Sequence, residues 1–192
     1  MSNNIPGFML TEECNILRTL FSKYNYTGAI GIEIGSFLGR SAYEISNCIP
    51  NATLYCIDGW TEWQTGQPSK YAVPDNLPVP GTTCSLDIFL QNTKDCKNII
   101  TIKGSSPECV RDWTQMVDFV FLDALHTNPS DRNSIDFWLP KINRGGMFAG
   151  HDYTPWLPQR YPDIQKNVRY LETYLDKAVI TFPGTTLWCF NI

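Results

Sequence analysis

Five short apolar runs, each closed by a glycine or an acid and set apart by stretches of helical spacing, constrain this chain most. They are AIGIEI (29–34, before Gly35), ATLYCID (52–58), NIITIKG (98–104), VDFVFLD (117–123) and GMFAGHD (146–152). Runs of this length, bounded by turn residues, read as buried strands. Between them SFLGRSAYEISNCI, CSLDIFLQNTKDC (84–96), the short SPECVRDW and PSDRNSIDFWLPKI (129–142) read as helices, the last stopped by Arg144, Gly145 and Gly146. PDIQKNVRYLETYLDKA (162–178) carries proline in its first turn, as a helix start allows. At the N-terminus Leu10, Cys14, Leu17, Leu20 and Phe21 fall at helical spacing with Thr11 as the expected cap, forming a helical extension over 1–28. VITF and TTLWCFNI, joined by Pro183 and Gly184, read as a closing hairpin. The alternation predicts an α/β fold: a mostly parallel sheet with helices on both faces, ending in an antiparallel hairpin.

Length and composition narrow the class. A chain of 192 residues with 43% hydrophobic and 18% charged residues is expected to form a single domain over 1–192 rather than a disordered segment. Net charge of −4 argues against gripping a nucleic-acid backbone by charge. The seven cysteines form no CxxC pair, so neither a zinc ribbon nor a thioredoxin-like site is expected. MSNNIPGFMLTEEC lacks the basic and apolar regions of a signal peptide, and no apolar run approaches the roughly 20 residues of a membrane helix. A cytoplasmic protein with no membrane partner is expected, and a homo-oligomer stays open. The segment 60–83, rich in Pro and Gly and without period, reads as a lid or insertion loop.

In open parallel sheets the ligand lies beyond the carboxyl ends of the strands. Polar residues expected there are Glu33, Asp58, Ser105, Asp123, His126, His151 and Asp152. In GIEIGSFLGRS (31–41), Gly35 permits a sharp strand-to-helix turn and Gly39 a close backbone approach to a ligand. The helix that follows offers unpaired N–H groups to an anion. The pattern E-x-G-x-x-x-G is not the G-x-G-x-x-G of dinucleotide sites, which disfavours a dehydrogenase. Asp58 can accept ribose hydroxyls or simply cap a helix; Trp60 can stack on a purine or pack beneath a lid.

The E-x-G-S-x-x-G-R-S turn, with its next strand ending Ile57-Asp58 before a tryptophan, resembles the S-adenosylmethionine site of class I methyltransferases. The run FLDALHTNPSDRNSIDFWLPKINRGGMFAGHDY (121–153) is similar to a subgroup of small methyltransferase domains related to the macrocin and aminocoumarin sugar O-methyltransferases and to cephalosporin hydroxylase-type proteins. The resemblance implies a Rossmann-like sheet of seven strands. It also implies that Glu33, Gly35, Ser36 and Gly39 hold the methionine moiety, with Ser41 or nearby amides on its carboxylate. Asp58, with Gly59 and Trp60 beside it, would bind the ribose, and Gly104, Ser105 and Ser106 would border the adenine. Ser105 or Ser106 can equally be a helix cap.

In metal-using members of that subgroup three acids at the ends of the fourth and fifth strands bind Mg²⁺. The corresponding positions are Asp123, His151 and Asp152, so one carboxylate is replaced by imidazole, which suits other divalent metals better. Leu125 stands where some sugar methyltransferases carry a basic carboxylate. The catalytic candidates are Asp123, His126, His151 and Asp152. Either histidine can serve as base, or a divalent metal can acidify a hydroxyl, while packing or capping histidines remain an alternative. Asp123 can also bond the cofactor's amino group. Trp60, Glu62, Trp63, Tyr71, Tyr153 and Trp156 are expected near the acceptor, or else bury loop backbone or a dimer contact. The leading expectation is O-methylation of a small-molecule or glycan acceptor. The alternative is a non-catalytic S-adenosylmethionine-binding protein that engages a partner through its aromatic loops.

Overall fold

The computed structural model describes residues 5–61 and 83–192, so Glu62, Trp63, Tyr71 and most of the expected lid lie outside the described residues. The seven strands are β1 (Ile30–Ile34), β2 (Thr53–Asp58), β3 (Ile99–Lys103), β4 (Val117–Leu122), β5 (Ile142–Gly150), β6 (Ile180–Thr181) and β7 (Trp188–Asn191). Their order in the sheet is β3-β2-β1-β4-β5-β7-β6. The pairs among β1 to β5 are parallel, and β7 runs antiparallel to both β5 and β6. This is the Rossmann-like sheet with a C-terminal antiparallel hairpin that the sequence predicts.

The helices are α1 (Thr11–Phe21), α2 (Arg40–Cys48), α3 (Leu86–Asn92), α4 (Ser130–Trp138) and α5 (Pro162–Leu175). Alternation along β4 decides what each face receives. Phe119 and Phe121 join Leu17, Phe21, Ala42, Ile45 and Phe89 from α1, α2 and α3. Val120 and Leu122 join Ile135, Trp138, Ile164, Val168 and Leu171 from α4 and α5. Every residue of β4 is buried, as expected of a central strand covered on both faces.

Several boundaries move. Thr11 is the first helical residue rather than the cap; the amide of Leu10 is instead met by Glu13 at 2.9 Å. The helix expected through 142 ends at Trp138, because Pro140 lacks an N–H and a short 3₁₀ turn follows. Strand β5 consequently begins at Ile142, and a register shift opposite Val117 and Phe119 absorbs the extra residues. SPECVRDW contributes only a 3₁₀ turn over Glu108–Val110, since Trp113 turns inward against Tyr55 (4.7 Å) and Trp138 (5.4 Å). The N-terminal extension is structural: Met9, Cys14, Leu17, Phe21 and Tyr24 are all core residues. All seven cysteines are free, and Cys56 and Cys189 are buried as small apolar groups. Among the described residues no helix is long and apolar enough to cross a membrane.

Candidate active site

Strand order reverses between β1, which leads outward to β2 and β3, and β4, which leads to β5. A crevice must open where the two connections diverge. A cavity of about 900 Å³ lies there, lined from the ends of β1 to β5, from residues 7–10 and from 184–186. Among the described residues, four of the five non-glycine residues with left-handed backbone, Phe37 (φ 46°), Trp60 (φ 39°), His126 (φ 58°) and Asp152 (φ 62°), lie just beyond these strand ends. Such conformations cost about 1–3 kcal/mol each and cluster where function constrains the backbone.

At the end of β1, Gly35 (φ 91°) donates its N–H to the Ile57 carbonyl at 2.8 Å, and a Cβ there would lie 1.9 Å from the Asp123 carbonyl oxygen. Only glycine lets the β1 and β4 ends come together. At β2, one Asp58 oxygen accepts from the Phe37 amide and the other from the Trp60 amide, both at 2.8 Å, and the Trp60 indole donates to the Phe37 carbonyl. Asp58 therefore ties two loops together and still faces the cavity with Gly59. Ser36, Ser41, Gly104, Ser105 and Ser106 line the same wall. The Ser106 hydroxyl accepts from the Trp138 indole at 3.0 Å and meets Ser134 at 3.2 Å, so it braces α4 rather than capping a helix.

Three expected cofactor residues do not reach the wall. Trp60 is 1% exposed and its ring packs 5.0 Å from Phe89, which removes it as a stacking surface. Gly39 (φ 94°) starts α2 beneath Thr93 and Phe89, so its missing side chain serves helix packing instead of a ligand. Glu33 is fully buried one layer down. Burial pushes its carboxyl up to about 7, and although Ser36, Ser41 and Cys56 oppose that shift, neither oxygen has a hydrogen-bond partner. On the acceptor side Tyr153 belongs to the core, whereas Trp156 is exposed at the cavity rim.

The acids and histidines converge. His126 Nε2 lies 2.9 Å from Asp152 Oδ2 and 3.5 Å from Asp123 Oδ1. His151 Nδ1 lies 3.6 Å from each of the same two oxygens. Its Nε2 sits 3.0 Å from Glu13, an ion pair by distance though not an aligned hydrogen bond. Burial alone would lower both imidazole pKa values, but the surrounding carboxylates outweigh it. His126 is raised by Asp152, Asp123 and Asp131, and His151 is raised well above its ordinary value by Asp123, Glu13 and Asp152. Burial acts upward on Asp152, yet the two imidazoles drive it below the usual carboxylate range. The carboxylates thereby favour the protonated form of both imidazoles, which in turn hold these acids in place, and this disfavours either histidine as the base.

Among the described residues the group whose donor atoms could share one ion is Asp123, His126 and Asp152, mutually within 4.8 Å. His126 thus joins the two acids in that group, while His151 keeps Nδ1 3.6 Å from the same two oxygens and turns its other nitrogen toward Glu13. Glu13 is the residue that sequence reasoning missed. It is 2% exposed, accepts from the Thr186 amide at 2.9 Å and hydroxyl at 3.1 Å, and joins α1 to the hairpin loop. Its position in the first turn of α1, three residues after Leu10, was the available signal. Arg40, which stands in the glycine turn but was not singled out there, and residues 7–10 also line the wall.

A family model described as a methyltransferase domain matches residues 32–153, the segment that runs from β1 to the loop after β5. Among solved structures, a putative caffeoyl-CoA O-methyltransferase from Staphylococcus aureus aligns over 97% of this chain and 85% of its own, with a TM-score of 0.66 at 11% identity. SMU.1697c, a putative methyltransferase from Streptococcus mutans in complex with SAH, aligns over 95% and 99%, with a TM-score of 0.63 at 12% identity. The O-methyltransferase NovP aligns over 94% and 79%, with a TM-score of 0.63 at 13% identity. These likenesses describe the fold, and the matched segment carries Gly35, Asp58, Asp123, His126, His151 and Asp152 on one cavity; the chain belongs to the methyltransferase-domain family.

Proposed function

We propose that this protein transfers the methyl group of S-adenosylmethionine to an oxygen of a small molecule or sugar. The observation that carries the reading is one continuous cavity that passes from Asp58 and Gly35 to the Asp123–His126–Asp152 group. Its volume of about 900 Å³ is at the upper end for small-molecule sites, so it suits a nucleoside cofactor together with an acceptor. The cofactor supplies an electrophilic methyl on a sulfonium, and the chain must align the acceptor oxygen with it in line. Asp58, Gly59, Ser36, Ser41, Gly104, Ser105 and Ser106 position the cofactor. Three carboxylates (Glu13, Asp123, Asp152) face two imidazoles, which leaves a negative surplus suited to a cationic sulfonium.

Asp123 is the least committed of the three acids, with its nearest nitrogens 3.5 and 3.6 Å away and its side chain 23% exposed. It is therefore the group that accepts a hydrogen bond, and then the proton, from the acceptor hydroxyl. His126, His151 and Asp152 hold it there. The donor set also fits a single divalent ion once His126 gives up its proton, since the separations of 2.9 and 3.5 Å are those of neighbouring ligands. Asp123, His126 and Asp152 would hold such an ion, and it would acidify the hydroxyl. One imidazole among two carboxylates favours Mn²⁺, Fe²⁺ or Zn²⁺ over Mg²⁺.

The test is calorimetric titration with S-adenosylhomocysteine, then methyl transfer to a panel of hydroxylated metabolites and sugars with and without Mn²⁺ or Mg²⁺. Saturable binding and a methylated product support the proposal. Failure to bind the cofactor overturns it, and binding without transfer across the panel would assign the cavity to cofactor sensing instead.

A further inference from the structure

Beyond Asp123 the cavity is walled by the loops that follow β4 and β5. Leu125 and Trp156 both line it, yet they are 74% and 65% exposed. Single exposed apolar side chains are ordinary on a surface, but two on one concave site mark a place that a ligand covers. The loop that carries Trp156 is held by its own backbone: the Leu157 N–H donates to the Thr154 carbonyl at 2.9 Å, and the Arg160 N–H to the Leu157 carbonyl at 3.0 Å. Tyr161, at the end of this loop, sets its ring 5.2 Å from that of His126. The apolar wall therefore adjoins the acid–histidine group, where the reacting hydroxyl must sit.

Among the described residues, the threonines on that side are already engaged. The Thr154 hydroxyl donates to the Leu157 carbonyl at 3.1 Å. The Thr185 hydroxyl donates to the Phe182 carbonyl at 2.8 Å and accepts from the Leu187 amide at 3.4 Å. That of Thr186 donates to Glu13 at 3.1 Å and accepts from the Asp152 amide at 3.3 Å. A sugar would bring several hydroxyls against this wall, and each one desolvated without a partner opposes binding. A flat apolar ring with one hydroxyl avoids that cost, since the ring stacks on Trp156 while the hydroxyl reaches Asp123.

Reactivity points the same way. In the transfer proposed above Asp123 takes the proton, and a carboxylate is a weak base. A phenol ionises at about pH 10, whereas an alkyl hydroxyl holds its proton about as firmly as water does, at about 15.7. A positioned carboxylate assists the more acidic hydroxyl better.

We propose that the acceptor is a phenolic hydroxyl on a flat apolar ring, held against Leu125 and Trp156, and not a sugar. The proposal rests on the methyl-transfer reading above and narrows it. The phenolic oxygen bonds to the methyl carbon as the carbon–sulfur bond breaks; sulfur keeps that electron pair, and the phenolic proton passes to Asp123.

The experiment titrates two probes calorimetrically, 2-naphthol and methyl β-glucoside, into the chain saturated with S-adenosylhomocysteine. The naphthol is expected to bind, and the glucoside to bind at least about tenfold more weakly. Trp156→Ala is expected to weaken 2-naphthol about tenfold, the size of one aromatic stacking contact, and Leu125→Ser about threefold. Both variants are expected to keep their S-adenosylhomocysteine affinity within about twofold. Thermal melting is the folding control, and either variant carries the test if the other does not fold. Absence of 2-naphthol binding, a glucoside that binds as tightly, or unchanged naphthol affinity in the variants overturns the proposal and leaves the methyl-transfer reading standing. If the wild-type chain does not bind S-adenosylhomocysteine, that reading fails and this proposal fails with it.

Discussion

Replacing Glu13 with glutamine should cost this protein about 3 kcal/mol near neutral pH, and the cost should vanish in acid. Glu13 is 2% exposed and 3.0 Å from His151, and its carboxylate accepts from the amides of Leu10 and Thr186. Burial alone would raise its pKa, but His151 and those amides bring it down from 4.5 to about 2. At about 1.4 kcal/mol per pH unit that difference is worth about 3 kcal/mol. The carboxyl is depressed in the folded state, so its contribution is fully present above pH 4.5 and is lost as the pH falls toward 2. His151 is protonated in both folded and unfolded chains over that window, so it adds no slope there. Urea unfolding followed by tryptophan fluorescence, at several pH values from about 6 to about 2, measures the gap between wild type and Glu13→Gln. The gap should narrow by about 3 kcal/mol across the range. A gap that is constant with pH, or absent at pH 6, would refute the assignment of Glu13 as an ionised partner of His151.

Gly35→Ala should destabilise by about 2–5 kcal/mol, combining a left-handed backbone penalty with overpacking against the Asp123 carbonyl. A melting temperature unchanged from wild type would contradict the close approach of β1 and β4. Asp58→Ala should weaken S-adenosylhomocysteine at least about tenfold and also loosen the Phe37 and Trp60 amides that it holds, at about 1–3 kcal/mol. Unchanged affinity by calorimetry would remove it from the cofactor site. If the acid–histidine group takes a metal, Mn²⁺ or Zn²⁺ should raise the melting temperature more than Mg²⁺ does, and His126→Ala should abolish the difference. An equal response in His151→Ala and His126→Ala would restore His151 to the ligand set.

That β4 is a strand covered on both faces was legible because VDFVFLD is a short, nearly continuous apolar run closed by an acid, as a central parallel strand requires. The same holds for α5, where an apolar stripe of Ile164, Val168 and Leu171 follows an N-terminal proline. Asp123, His126, His151 and Asp152 could be placed near one another because strand ends in a parallel sheet meet at one edge. Their partners could not be placed. Trp60 reads equally well as a ligand contact or as packing and Gly39 reads as a ligand contact, whereas both lie against Phe89 on α3, a neighbour that local sequence does not encode.

Local periodicity and backbone sterics are enough to give the succession of strands and helices along the chain, the glycine turn after β1 and the sheet edge at which polar residues gather. The tertiary structure alone decided which side chains share that edge. Glu13 and His151 are 138 positions apart in the chain and become an ion pair only when α1 docks beside β5. Long-range burial then sets their charges, because the field at a buried group comes from whatever the fold places within a few ångströms of it, and no local pattern encodes that.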